Sequence, residues 1–336
     1  MAGEPIALGM VGLGTWGPNL LRNFAALPGC AVRICCDRDA AALERARRQH
    51  PGLAATDRFE DVLAAPIQAV AIATPAPTHY ELARAALLAG LHVFVEKPIT
   101  LDVAQAEELV RLAEERGCVL MVGHLLEYHP AVERLQALIA SGELGELRYI
   151  YSQRLNLGTV RRDENVMWSL APHDISVLLM LLDGQPVEVS AQGMAYLQPG
   201  VEDVVFLTVR FDNGQLGHIH VSWLDPHKTR RFTVVGARKM AVFDDMAATE
   251  KLRIYDQGVV PQYTSYGEAL TLRFGDIYIP RIDMREPLRI ECQHFIDCVR
   301  EGRRPRSDGS DGLRVLRVLA AGQQSLDRGG APVALG

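Results

Sequence analysis

The sequence offers little that would suit it to a membrane, to secretion or to a polynucleotide. Its six cysteines form no Cys-x-x-Cys pair, and Cys35 and Cys36 sit side by side in an apolar run. Reduced, buried thiols in a reducing compartment follow, rather than a disulfide framework or a zinc site. The N-terminal stretch shows no basic segment leading into a long apolar run, so a cytoplasmic location is expected. The longest uncharged run, Val62–Tyr80, is broken by Pro66, Pro75 and Pro77 and carries Gln68, Thr74, Thr78 and His79. It is unfit to face lipid as a helix, and no membrane association is expected. Positive charge is in deficit as well: 35 Lys and Arg stand against 41 Asp and Glu, a formal charge of −6. Such a chain has no global field to attract a nucleic acid. Repeats and low-complexity tracts are absent. What is present is ordinary globular material, 48% hydrophobic over 336 residues, enough for two domains.

Residues 1–122 alternate short apolar runs with helical stretches. Ile6–Val11, Ala31–Cys36, Gln68–Ala73, Leu91–Val95 and Cys118–Val122 lack polar alternation, the mark of strands buried on both faces. Trp16–Leu27, Ala40–Gln49, His79–Ala89 and Val103–Arg116 supply the crossovers between them. The expected fold is α/β, an N-terminal doubly wound parallel sheet of Rossmann type. From Gly123 to Gly336 strand-like segments follow one another with few helices, predicting a C-terminal α+β domain on a large, open, mostly antiparallel sheet. Asn213-Gly214 predicts a two-residue hairpin turn. Pro172–Leu182 predicts a helix that begins at its proline, and the last helices, Leu288–Arg300 and Leu313–Asp327, are candidates to pack back on the first domain. One face of an open sheet is normally covered by helices, so the other is expected to meet a second subunit in a dimer or tetramer.

Gly12-Leu13-Gly14-Thr15-Trp16-Gly17 is G-x-G-x-x-G directly after the first strand and at the opening of a helix. The first glycine permits the tight turn, the second admits a pyrophosphate close to the backbone, and the third lets helix and strand approach. Helix N–H groups then face the phosphates. Asp37, at the end of the second strand, is placed to accept from the ribose hydroxyls and to repel a 2′-phosphate, which favours NAD over NADP. Arg38 beside it is the neighbour that would tolerate the phosphate. Glu96-Lys97-Pro98 ends the fifth strand on the carboxyl edge, where this fold binds ligands, and its Lys97–Pro98 peptide is a candidate for the cis form.

Gly12–Gly17, Thr74-Pro75-x-x-x-His79, the Glu96-Lys97-Pro98 triplet, Gly123-His124, Pro130-Ala131, Glu286-Pro287-Leu288 and Glu291-Cys292-x-His294-Phe295 together resemble the Gfo/Idh/MocA oxidoreductase family. The resemblance runs from Ile6 to Leu326. It implies reversible hydride transfer at a sugar or cyclitol carbon, with Lys97 in the active site and Thr74, Pro75, His79 and Glu96 beside the cofactor. It also implies a catalytic D-x-x-x-H. Here His173 matches the histidine, while Ser169 stands where the aspartate would be. With Pro172 at a helix start, His173 would lie in the first turn, where the dipole keeps the imidazole neutral and able to act as a base.

Two basic clusters oppose the overall charge: Arg154, Arg161 and Arg162 around the segment Asn156–Trp168, and Lys228, Arg230 and Arg231 after Asp225-Pro226. Guanidinium groups pair bidentately with phosphate, so a nucleotide-sugar substrate is expected. The stretch from Arg154 to Ser176 resembles the family members acting at carbon 3 of UDP-linked N-acetylhexosamines. That likeness implies a 3-keto product consumed by an aminotransferase. Asn156, Arg161 and Asn165 become candidates for sugar contacts, with Trp168 near the nicotinamide. Lys97 would stabilise the developing alkoxide, and His173 or Lys97 would accept the hydroxyl proton. A dehydrogenase of free cyclitols or aldoses, or a non-catalytic dinucleotide sensor, remain the alternative readings.

Overall fold

The computed structural model describes residues 4–260 and 271–335. Two compact units emerge, one of Met1–Tyr128 with Arg285–Leu316, the other of His129–Met284 with Arg317–Gly336.

The first unit alternates β1 (Ile6–Val11), α1 (Gly17–Ala25), β2 (Cys30–Cys36), α2 (Ala40–Gln49), β3 (Ala54–Thr56), α3 (Phe59–Ala64), β4 (Ala69–Ile72), α4 (His79–Leu88), β5 (His92–Glu96), α5 (Val103–Arg116) and β6 (Leu120–Gly123). All pairings are parallel, in the order β3-β2-β1-β4-β5-β6, and the order reverses beside β1. That reversal opens the crevice at the carboxyl ends of the strands. β3 and α3 were not legible: a three-residue edge strand carries too little pattern to announce itself. Local chemistry sets the other boundaries. Asp102 caps α5 by accepting from the Gln105 N–H at 3.0 Å, and Gly117 ends it at φ +62°.

The chain returns to this unit late. Helix Pro287–Glu301 packs on the sheet through Phe295, which meets Phe24 and Phe94 edge-on at centroid distances of 6.1 and 5.7 Å, while Phe24 and Phe94 lie 5.8 Å apart. Such pairs add about 0.5–1.5 kcal/mol each beyond their burial. The apolar seam of this helix, not sequence proximity, assigns Arg285–Leu316 to the first unit, so a division at residue 122 is too simple.

The second unit contains α6 (Pro130–Ala140), β7 (Leu147–Leu155), α7 (Val166–Leu181), β8 (Pro186–Met194), β9 (Val204–Phe211), β10 (Leu216–Ser222), β11 (Thr229–Gly236), β12 (Met240–Asp244), β13 (Leu252–Val260) and β14 (Thr271–Tyr278). After the returning helix α8 (Pro287–Glu301) come α9 (Gly309–Asp327) and the short β15 (Val333–Ala334). The sheet runs β14-β13-β12-β11-β7-β10-β9-β8-β15 and is antiparallel except where β7 meets β10. Helix α7 covers β7, β9 and β10 on one face. On the opposite face Tyr149, Tyr151 and Phe206 are 41%, 37% and 44% exposed. No described helix is long and apolar enough to cross a membrane.

Two local expectations are corrected. Helix α7 begins at Val166, because Asn165 accepts from the Trp168 N–H at 3.2 Å and caps it; Pro172 therefore lies inside the helix. The β9–β10 turn uses three residues, Asp212 to Gly214, with Phe211 and Gln215 pairing around it. Only Gly214 takes a positive φ, +84°, since no described non-glycine residue does.

Candidate active site

In the first unit the motif residues converge at the carboxyl ends of β1, β2, β4 and β5. Gly12 stands at φ +90°, and a Cβ there would meet the Ala73 backbone at 2.6 Å. A Cβ on Gly17 would strike the Gly12 carbonyl oxygen, whereas one on Gly14 would find nothing within 4 Å. Open space over the second glycine, above a helix start without a side-chain cap, is what a dinucleotide pyrophosphate needs. Leu13 is buried, while Gly14, Thr15 and Trp16 are exposed. Asp37 accepts from the Leu13 N–H at 2.5 Å and from the Asp39 N–H at 2.8 Å, and a carboxylate has lone pairs beyond those two. Arg38 is exposed beside it.

His79 is buried, its ring nitrogens 2.8 Å from the Thr74 and the Pro98 carbonyl oxygens. Burial lowers its pKa, and the two carbonyl oxygens oppose that shift, because a neutral ring can donate to only one of them. Its contribution is to hold Thr74-Pro75 and the Lys97–Pro98 peptide, which is cis, at the sheet edge. Glu96 receives hydrogen bonds from the Trp16 side chain and, at 3.3 Å, from the Lys97 N–H. Burial nonetheless pushes its carboxyl up to about 7.

In the second unit His173 stands in the middle of α7, one turn after Ser169 on the same face. The dipole at a helix start cannot act on it, since α7 begins seven residues earlier. The basic clusters carry their own counterions. Arg154, on β7 and 6% exposed, donates from Nε to the buried Asp174 carboxylate. Arg161 pairs with Glu164 at 3.0 Å, Arg230 with Asp245 at 3.4 Å and Arg231 with Asp244 at 3.0 Å. Asp245 is held down to about 2, chiefly by the His129 hydrogen bond and then by Arg230 and Lys251. Lys228 and Arg162 are exposed, and Asn156 is half-buried at the end of β7. Asn165 spends its side chain on the cap and on Glu202 and Gln323, at 2.7 and 3.0 Å. Trp168 donates its indole N–H to the same Gln323 at 3.0 Å. Gln323 went unnoticed in the sequence because it belongs to α9, far along the chain.

Two family models match: an oxidoreductase family model with an NAD-binding Rossmann fold over residues 6–124, and the corresponding GFO/IDH/MocA C-terminal domain over residues 132–242. A UDP-N-acetylglucosamine 3-dehydrogenase of Acidithiobacillus ferrooxidans is 30% identical over 315 residues, 92% of this chain and 93% of that one. Its solved structure superposes with a TM-score of 0.82, covering 97% of this chain and 99% of the other at 26% identity. A scyllo-inositol 2-dehydrogenase (NAD(+)) of Bacillus subtilis is 25% identical over 343 residues, 97% and 95% of the two chains.

Proposed function

The chain belongs to the Gfo/Idh/MocA oxidoreductase family, and on that footing we propose that it oxidises the C3 hydroxyl of a UDP-linked N-acetylhexosamine, UDP-N-acetylglucosamine foremost, to the 3-keto sugar. It is an NAD-dependent dehydrogenase acting on a sugar CH–OH group. The observation carrying the finer reading is the 30% identity, over 92% of the chain, to an enzyme named for that activity.

When bound, NAD supplies the acceptor for the hydride. Gly12 to Gly17 would cradle its pyrophosphate and Asp37 its ribose, and this chain's own groups do the rest. Lys97 lies at the end of β5, where its ammonium can stabilise the oxygen as negative charge develops. The substrate hydroxyl proton goes to Lys97 or to His173. The product is a ketone that an aminotransferase would consume. Tyr149, Tyr151, Phe206 and Leu216 leave the open sheet face partly apolar, which supports a homo-oligomer through that face.

A second reading rests on the ion pairs. Arg154, Arg161 and Arg230 already bind carboxylates, which would suit a free cyclitol or aldose that needs no diphosphate clamp. Incubation with NAD and UDP-N-acetylglucosamine, myo-inositol or glucose, read as NADH absorbance, separates the two. Turnover of the nucleotide sugar is expected; turnover of the free polyols alone would refute the C3 reading.

A further inference from the structure

The first turn of α7 is held from outside the helix by a residue that the chemistry above leaves unused. Gln323, in the part of α9 that belongs to the second unit, lies in the same compact body as α7. Its Oε1 accepts two hydrogen bonds, from Asn165 Nδ2 and from the Trp168 indole Nε1, both at 3.0 Å. Asn165 in turn accepts from the Trp168 backbone N–H at 3.2 Å. Three residues thus close a ring in which Trp168 is gripped at its backbone and at its indole together.

The ring admits one assignment of its amides. Gln323 Nε2 donates to Asp327 Oδ1 at 3.0 Å, one turn further along α9, which leaves Oε1 for the two donors. Asn165 Nδ2 also donates to Glu202 Oε2 at 2.7 Å, and the Glu202 backbone oxygen accepts from the Val166 N–H at 3.0 Å. Turning either amide over would set an oxygen against a carboxylate. Asn165 is buried, whereas Trp168 and Gln323 are half-buried. The end of α9 is itself anchored. Ser325 Oγ accepts from the Ala191 N–H of β8 at 2.9 Å and donates to the Ala331 carbonyl at 2.7 Å. A Cβ on Gly322 would stand 2.9 Å from Met167 Sδ and 3.0 Å from Leu207 Cδ1, so α7 and α9 meet with no space for a side chain between Gly322 and Met167.

We infer that Gln323 is a positioning residue for the hydride transfer: it fixes the plane of the Trp168 indole, the surface this chain offers to the nicotinamide. The inference rests on the reading of Trp168 as the residue near that ring. An unheld indole turns about χ2 over a broad range, and each reactant orientation it then permits dilutes the productive one. Gln323 acts through Trp168 and not on a reactant. The cap of α7 does not depend on it, since Asn165 keeps both the Trp168 N–H and Glu202. Loss of Gln323 therefore frees the indole while the helix start stays closed.

The NAD-free enzyme gives the first test. Among the three tryptophans, the indole N–H signal of Trp168 in nitrogen-15 spectra is identified by its absence in Trp168→Phe. That N–H should exchange with solvent about tenfold more slowly in wild type than in Gln323→Leu. Equal exchange in the two overturns the inference. The second test is kinetic, with NAD and the sugar turned over in the panel. Gln323→Leu should lower kcat about tenfold, with the NAD dissociation constant within about threefold of wild type and the melting temperature unchanged. Gln323→Glu combined with Asp327→Asn reverses the polarity of the pair on α9 and keeps an acceptor for the indole, so it should regain most of that loss. A merely structural role would move the melting temperature and would not respond to the exchange. Should Gln323→Leu fail to fold, Gln323→Ser, too short to reach the indole, carries the same expectations. A fully active Trp168→Phe refutes the reading of Trp168 and the inference with it. A slow Trp168→Phe beside a fully active Gln323→Leu refutes the inference alone.

Discussion

The Leu13 N–H and the Asp37 carboxylate meet at 2.5 Å across a separation of 24 residues. This bond ties the glycine turn to the end of β2, so the carboxylate that braces the turn is the one proposed to hold the ribose. Asp37→Ala should weaken NAD binding by about 10- to 100-fold, the cost of charge-assisted hydrogen bonds of about 1.5–3 kcal/mol. Asp37→Arg should in addition turn the preference towards NADP. Fluorescence titration with both dinucleotides checks this; unchanged discrimination would remove Asp37 from the cofactor site.

Lys97→Met keeps the length of the side chain and removes its charge. The expected result is a kcat reduced by about 10²–10⁴ with NAD affinity within a few fold of wild type. His173→Ala should lose activity too, and the larger loss identifies the base. A Lys97→Met enzyme of full activity would overturn the assignment.

Arg154 and Asp174 form a pair buried on both sides, at 8% and 0% side-chain exposure. Removing one partner strands the other charge, so Arg154→Leu should destabilise the protein by about 3–5 kcal/mol. Arg154→Leu with Asp174→Leu should recover much of that loss, because an apolar pair of similar volume needs no desolvated charge. Urea denaturation of the single and double variants gives the answer. Equal stability of all three would mean the pair is solvated.

Glu291 and Glu127 hold their protons in the fold well above 4.5, their ordinary value. Between those values the native state binds more protons than the unfolded chain, so this part of the stability falls as pH rises. Asp245 behaves oppositely: its contribution is present above 3.8 and is lost as pH falls towards 2. Glu291→Gln should therefore gain melting temperature relative to wild type as pH is raised from about 5 to about 8. A difference that stays constant with pH would show that Glu291 ionises normally.

Much of the first unit was legible because its signals are local. Strand, glycine turn, helix and acid follow within 37 residues, and Gly12 and Gly17 have no room for a side chain, whereas Gly14 opens onto free space. The second unit was legible as strands in sequence, but not as charges in space. Arg154 reads as a free cation until β7 is seen beside α7, and Asn165 reads as a sugar contact until it is seen capping that helix. The misplaced helix start shows the same limit: Pro172 is a good first-turn residue, yet Asn165 seven positions earlier supplies the cap.

Glu291 shows where the two levels part. On α8 it occupies the seam of Leu288, Cys292, Phe295 and Ile296, spaced three and four apart, so its burial could be read from the sequence alone. Periodicity also determined the parallel sheet, and motif spacing the dinucleotide turn, because each depends on neighbours along the chain. Which acids keep a proton, and which arginines are already neutralised, was decided only by the tertiary structure. Charges act through distance and burial, and those become defined when remote segments such as Glu96, Glu127, Glu291 and Asp311 are packed together.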